Sequence, residues 1–85
     1  MEDFTFILYV GVKNGMHDEA KQNKIRYDAD LKKWYIEFDY NDFVNNKKLK
    51  PPSPFKAYSI NILDDDIKNK KEYTDYIFKL LKERY

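Results

Sequence analysis

Cysteine is absent from this 85-residue chain, which removes disulfides and thiolate metal sites, and with them the usual covalent staple of a small secreted domain. Glycine is nearly absent: both copies fall within residues 11–15, "GVKNG", without the spacing of a phosphate-cradling loop. The three prolines are confined to "PPSP", residues 51–54, so rigid breakers act at only one place. The longest apolar run, Phe6–Val10, falls far short of the roughly 20 residues that a membrane helix requires. The start carries two acidic residues and no basic segment followed by an apolar stretch, so a signal peptide is not expected. These absences lead us to expect a cytoplasmic protein, in the host cytoplasm if its source is viral. Charge of one sign is not in excess either. Sixteen basic against fifteen acidic residues leave +1, without the bulk electropositive character of a DNA-coating protein, so any nucleic-acid contact must come from a local patch.

What the chain does have is aromatic side chains: eight Tyr, six Phe and one Trp make up 18% of it, well above a disordered composition. A chain of this length makes one domain, 1–85, and buries only roughly 60% of its unfolded surface, so each core ring matters. Phe4–Val10 has the β-branched and aromatic character of a strand that is apolar on both faces, as a central strand is. After the glycines, Asp18 is placed to cap a short helix running to about Asn23. Ile25–Asp28 and Lys33–Tyr40 then form a predicted hairpin. Its second arm alternates strictly, with Trp34, Ile36, Phe38 and Tyr40 on one side and Tyr35, Glu37 and Asp39 on the other. Residues 41–54 read as a basic, proline-bearing mobile loop, with at most one helical turn in "NDFVNN". Phe55–Leu63 alternates again as a strand. From Asp66 to Arg84, Ile67, Tyr73, Ile77, Leu80, Leu81 and Arg84 fall on one helical stripe, with Asp64–Asp66 at the positive end of the dipole. The expected fold class is therefore α+β: a small mixed or antiparallel sheet in the order β-α-β-β-loop-β-α, with helices on one face.

From Asp18 to Ile36 the sequence "DEAKQNKIRYDADLKKWYI" resembles a short domain of unknown function found in plasmid-type DNA primases, antirestriction proteins, phage proteins and large DNA viruses. That pattern runs approximately (D/E)-(E/K)-A-K-x-L-G-A-x-W-D-x-x-x-K-x-W-Y-(I/V). Glu19, Ala20, Lys21, Asp28, Lys32 or Lys33, Trp34, Tyr35 and Ile36 supply it, while Lys24 or a neighbour replaces its glycine and Tyr27 its first tryptophan. The resemblance covers roughly residues 4–40. It implies a β-α-β-β module attached to proteins that handle DNA, and it brings no catalytic residues.

Two readings of the hairpin follow from its residues. In the first, Asp28 bonds the backbone two residues on and turns the chain, while Tyr27 and Trp34 meet across the ladder as a structural lock. In the second, Trp34 stays in the core and Lys24, Arg26, Tyr27, Lys32, Lys33 and Tyr35 present a basic and aromatic surface on which a base stacks. Lys47, Lys48 and Lys50 form either a solvated connector or an arm that touches phosphate. Asp64–Asp66 invite a metal, yet three consecutive carboxylates point in different directions, and a helix start explains them better. His17, the only histidine, is expected in an exposed loop without a spaced partner for nucleophilic catalysis. Tyr76, Phe78 and Tyr85 lie off the last helix's stripe, where rings build interfaces. The function expected is that of a non-enzymatic binding module of viral, phage or plasmid type contacting single-stranded nucleic acid, without cofactor or metal. The alternative is an interaction or inhibitor module that docks on a host or phage protein, with a homodimer as one form.

Overall fold

A computed structural model describes residues 3–52 and 54–84. Strand β1 (Thr5–Val10) lies inside a four-stranded sheet with β2 (Arg26–Asp28), β3 (Lys33–Asp39) and β4 (Ala57–Ile62), in the order β2-β3-β1-β4. Every neighbouring pair is antiparallel. Helix α1 (His17–Gln22) joins β1 to β2 with β3 inserted between them, and α2 (Tyr40–Asn45) joins β3 to β4 across β1. This is the split β-α-β connectivity, to which a longer helix α3 (Lys70–Arg84) is appended.

The register fixes which side chains share a face. Phe6 sits opposite Phe38 and Ile62, and Leu8 opposite Ile36 and Ile60, so these residues make one apolar face. All three helices cover it. Phe6 and Leu8 join Phe4, Tyr40, Phe43, Ile67, Ile77 and Leu81 in one core cluster, and Val10, Ala20, Ile25 and Phe55 form a second beneath α1. Thr5, Ile7, Tyr9, Lys33, Tyr35, Glu37, Ser59 and Asn61 lie on the opposite face, and none of them belongs to either cluster. On that helix-free face Tyr9 is still buried, because strands flank it on both sides and the Lys33 ammonium lies 5.0 Å from its ring centroid.

Of the mixed and antiparallel sheets that the sequence allows, the antiparallel one forms, with its helices on one face as expected, and four local features differ. First, residues 40–45 form the helix α2, capped by the Asp39 carboxylate accepting from the Asp42 N–H at 3.0 Å. Tyr40 therefore ends the strand ladder, its N–H donating to the Phe4 carbonyl, and opens a helix. Second, α1 begins at His17 after Met16, with no side-chain cap; Asp18 lies in the first turn instead. Third, α3 begins at Lys70, four residues beyond the acidic run. Asp64 instead folds a turn by accepting the Asp66 N–H at 2.9 Å, and Asp65 makes an exposed ion pair with Lys70 at 3.5 Å. Fourth, the connector after α2 is pinned in place. Leu49 packs on the main cluster, Pro51 and Phe55 are buried, and Arg84 donates to the carbonyls of Phe43 and Leu49. Tyr76 is exposed, Phe78 packs partly on the core, and Tyr85 lies outside the described residues.

Lys24 explains how α1 hands over to β2. Its φ of 66° is left-handed, its N–H donates to the Lys21 carbonyl, and the Ile25 N–H donates to that of Ala20. These two bonds make a Schellman ending, and the buried contact between Ile25 and Ala20 completes it. Lysine occupies the position that glycine fills without strain.

Candidate nucleic-acid interface

The hairpin closes as its sequence predicts. The Asp28 Oδ1 accepts from the N–H groups of Asp30 at 2.9 Å and Leu31 at 3.1 Å, and Lys32, at φ 55°, brings the chain back into β3. The bond from Tyr40 N–H to the Phe4 carbonyl sets the alternation along β3: Trp34, Ile36 and Phe38 bond toward β1, whereas Lys33, Tyr35, Glu37 and Asp39 turn their backbone groups the other way. Tyr27 and Trp34 are thus a non-hydrogen-bonded pair, the kind whose side chains approach most closely. Their ring centroids are 5.0 Å apart.

This pair lies on the helix side of the sheet at its β2 end. Trp34 is half-buried, one part of it packed on the cluster beneath α1 and the rest facing a cleft, so it anchors less of the core than a buried tryptophan would. Tyr27 is 48% exposed and lines the same cleft. His17, the first residue of α1, places its ring 5.0 Å from that of Trp34, where the sequence suggested only a loop residue. Lys21, one helical turn after His17, and Lys32, in the hairpin loop, join the lining together with Val12 and Asn14. Three rings and two lysines therefore converge on a depression that, among the described residues, no carboxylate lines. That is an unusual local balance in a chain whose net charge is +1.

The nine residues expected to contact nucleic acid do not form one surface. Tyr27 and Lys32 enter the cleft. Lys33 and Tyr35 point to the helix-free face, where Tyr35 lies opposite Tyr9 and Arg26. Lys24, Arg26 and Lys50 line a separate groove beside β3, and the Lys50 ammonium donates to the Arg84 carbonyl at 3.3 Å. Lys47 and Lys48 are exposed in the turn after α2, where the Asn46 side chain accepts the Lys48 N–H. The correction is geometric: adjacent strand residues alternate between faces, so Tyr27 cannot share one with Arg26, nor, lying opposite Trp34, with Tyr35. His17 and Lys21 were missed as site residues, although their spacing of four on a helix places them together. Among the described residues no group of three or more His, Cys, Asp or Glu is gathered as metal ligands, and no helix is long and apolar enough to cross a membrane. No protein-family model, curated protein or solved structure matches the chain.

Proposed function

We propose that this protein is a small, non-enzymatic module that binds single-stranded nucleic acid in the cleft between the hairpin and α1. The observation that carries this reading is the composition of the cleft: Tyr27, Trp34 and His17 supply ring faces, Lys21 and Lys32 supply cations at its rim, and among the described residues no carboxylate opposes a phosphate there. Stacking tolerates any base and is worth about 1–3 kcal/mol per base, while the lysines hold the flanking phosphates. A single-stranded ligand fits because its bases are free to enter a concavity, whereas a duplex offers mainly its outer phosphates, for which a chain of +1 has little field. The resemblance of residues 4–40 to modules in DNA-handling proteins of viruses, phages and plasmids points the same way.

Trp34 is the only tryptophan, so its fluorescence reports on the site directly. Titration with short oligo-dT at low salt is expected to quench it, with log K falling as salt rises. A double Lys21→Ala, Lys32→Ala variant should flatten that slope by about 1.4, since each phosphate contact to a single strand contributes about 0.7. Lys33→Ala, on the helix-free face, should leave it unchanged. An unquenched Trp34 at low salt would refute the proposal. A docking role on a protein partner draws support from another part of the molecule, the open edge of β3.

A further inference from the structure

Strand β2 is only three residues long and pairs with β3 through Tyr35, and Ile25 just before it falls opposite Ile36 in the same register, so among the described residues the side of β3 from Glu37 to Asp39 has no neighbouring strand. The alternation along β3 turns the N–H and C=O of Glu37 and the N–H of Asp39 toward that side. Continuing the register would bring Lys24 opposite Glu37, but its left-handed φ of 66° carries the chain away into α1. A groove of about 530 Å³ runs along this gap. Ile36, Phe38, Leu49 and Pro52 form its apolar wall on the helix side. Lys24 and Arg26 stand at the end where β2 begins, and Asp39 and Asp42 toward the end where α2 begins.

We propose that this edge captures the C-terminal end of an extended peptide, which adds as an antiparallel strand beside β3. A residue opposite Phe38 points into the apolar groove, and residues opposite Glu37 and Asp39 point to the helix-free face beside those carboxylates. An apolar side chain suits the first place and basic ones the other two. Ile25, just before β2, holds the position opposite Ile36, so an antiparallel peptide must stop opposite Glu37. Its terminal carboxylate then meets Lys24 and Arg26, and its amino-terminal side meets Asp39 and Asp42. The gap holds about three residues, on the order of 10 Å of strand. The polarity of the groove therefore selects both the direction of the peptide and a free carboxylate. This site is separate from the Trp34 cleft and stands or falls independently of nucleic-acid binding.

The test uses the whole protein, isotope-labelled for amide NMR, and the peptide acetyl-Ser-Lys-Leu-Lys with a free carboxylate. The expected result is saturable shifts centred on the Glu37 and Asp39 amides, with their hydrogen exchange slowed. The C-terminal amide of the peptide should bind at least tenfold more weakly, and so should the free acid to Arg26→Glu. Glu37→Pro removes an outward N–H from the strand edge without touching the ladder to β1, and should abolish binding. If that variant does not fold, the Arg26→Glu and amide comparisons still decide. Unshifted Glu37 and Asp39 amides at millimolar peptide, equal affinity for the amide, shifts confined to the outer edge of β4, or occupation of the β3 edge by a second copy of the chain would each overturn the proposal.

Discussion

Arg84, the last residue of α3, carries more of the fold than its place at a helix end implies. Its guanidinium donates to the Leu49 carbonyl at 2.6 Å and to the Phe43 carbonyl at 2.7 Å, and its centre lies 4.5 Å from the Phe43 ring centroid. One side chain thereby ties α3 to the end of α2 and to the connector beyond it. Hydrogen bonds from a charged donor contribute about 1.5–3 kcal/mol each, and a cation over a ring adds about 0.5–1. Water reaches part of this site, so the two carbonyls recover some solvation after truncation, and Arg84→Ala is expected to cost about 2–4 kcal/mol. The whole domain should hold only about 4–13 kcal/mol at 0.05–0.15 per residue, so the loss is a large share of it. Urea unfolding followed by Trp34 fluorescence measures it. With an m-value of about 2 kcal/mol/M, the midpoint should fall by about 1–2 M. Arg84→Lys keeps the charge but loses the fork, and should recover less than half of the difference. Lys82→Ala, exposed on the same last turn, should change stability by less than about 0.5 kcal/mol. If Arg84→Ala unfolds within about 0.5 kcal/mol of the parent, or Arg84→Lys matches the parent, the clamp is not what holds the connector.

Lys24→Gly should stabilise the protein by about 0.5–1 kcal/mol, because glycine adopts the left-handed helix ending without a Cβ clash; a lower urea midpoint would contradict the strain assigned there. Tyr40 should make stability fall at alkaline pH. Burial, and then the neighbouring Tyr73 and Tyr76, raise its hydroxyl above its ordinary value of 10.0, so the folded state keeps a proton that the unfolded chain releases. That contribution is whole below pH 10 and is lost as pH rises through the raised folded value. Tyr40→Phe retains the stacked ring against Phe4, 4.5 Å away, and should show a shallower decline of the urea midpoint above pH 10 than the parent; parallel declines would refute the assignment.

The strands were legible because a period of two is a local signal that the sheet only has to accept. Phe6, Leu8, Ile36, Phe38, Ile60 and Ile62 meet on the covered face as their alternation predicts. The hairpin was legible for the same reason, since Asp28 turns the chain through bonds spanning two and three residues. Helix starts were harder, because an aspartate that can cap a helix can equally close a turn. Asp39 caps α2, while Asp64 closes a turn ahead of α3, and nothing within either short stretch separates the two outcomes. The anchoring of the connector was invisible, since its partners Arg84 and Leu49 are 35 positions apart in the chain.

The candidate interface was within reach of the sequence and was misjudged by one geometric step. Grouping Tyr27 with Arg26 and Tyr35 gives one surface to residues of two faces, because Arg26 lies opposite Tyr35 whereas Tyr27 lies opposite Trp34. Once alternation is applied, the basic and aromatic residues separate into a cleft on the helix side, holding Tyr27, Trp34 and Lys32, and a helix-free face holding Lys33 and Tyr35. The sheet itself divides them, so a single base cannot stack on Trp34 and Tyr35 together. The two faces therefore make different predictions for one ligand: loss of Tyr27 should weaken an oligonucleotide that leaves Tyr35 untouched, and an oligonucleotide sensitive to Tyr35 alone would move the binding site to the opposite side of the sheet.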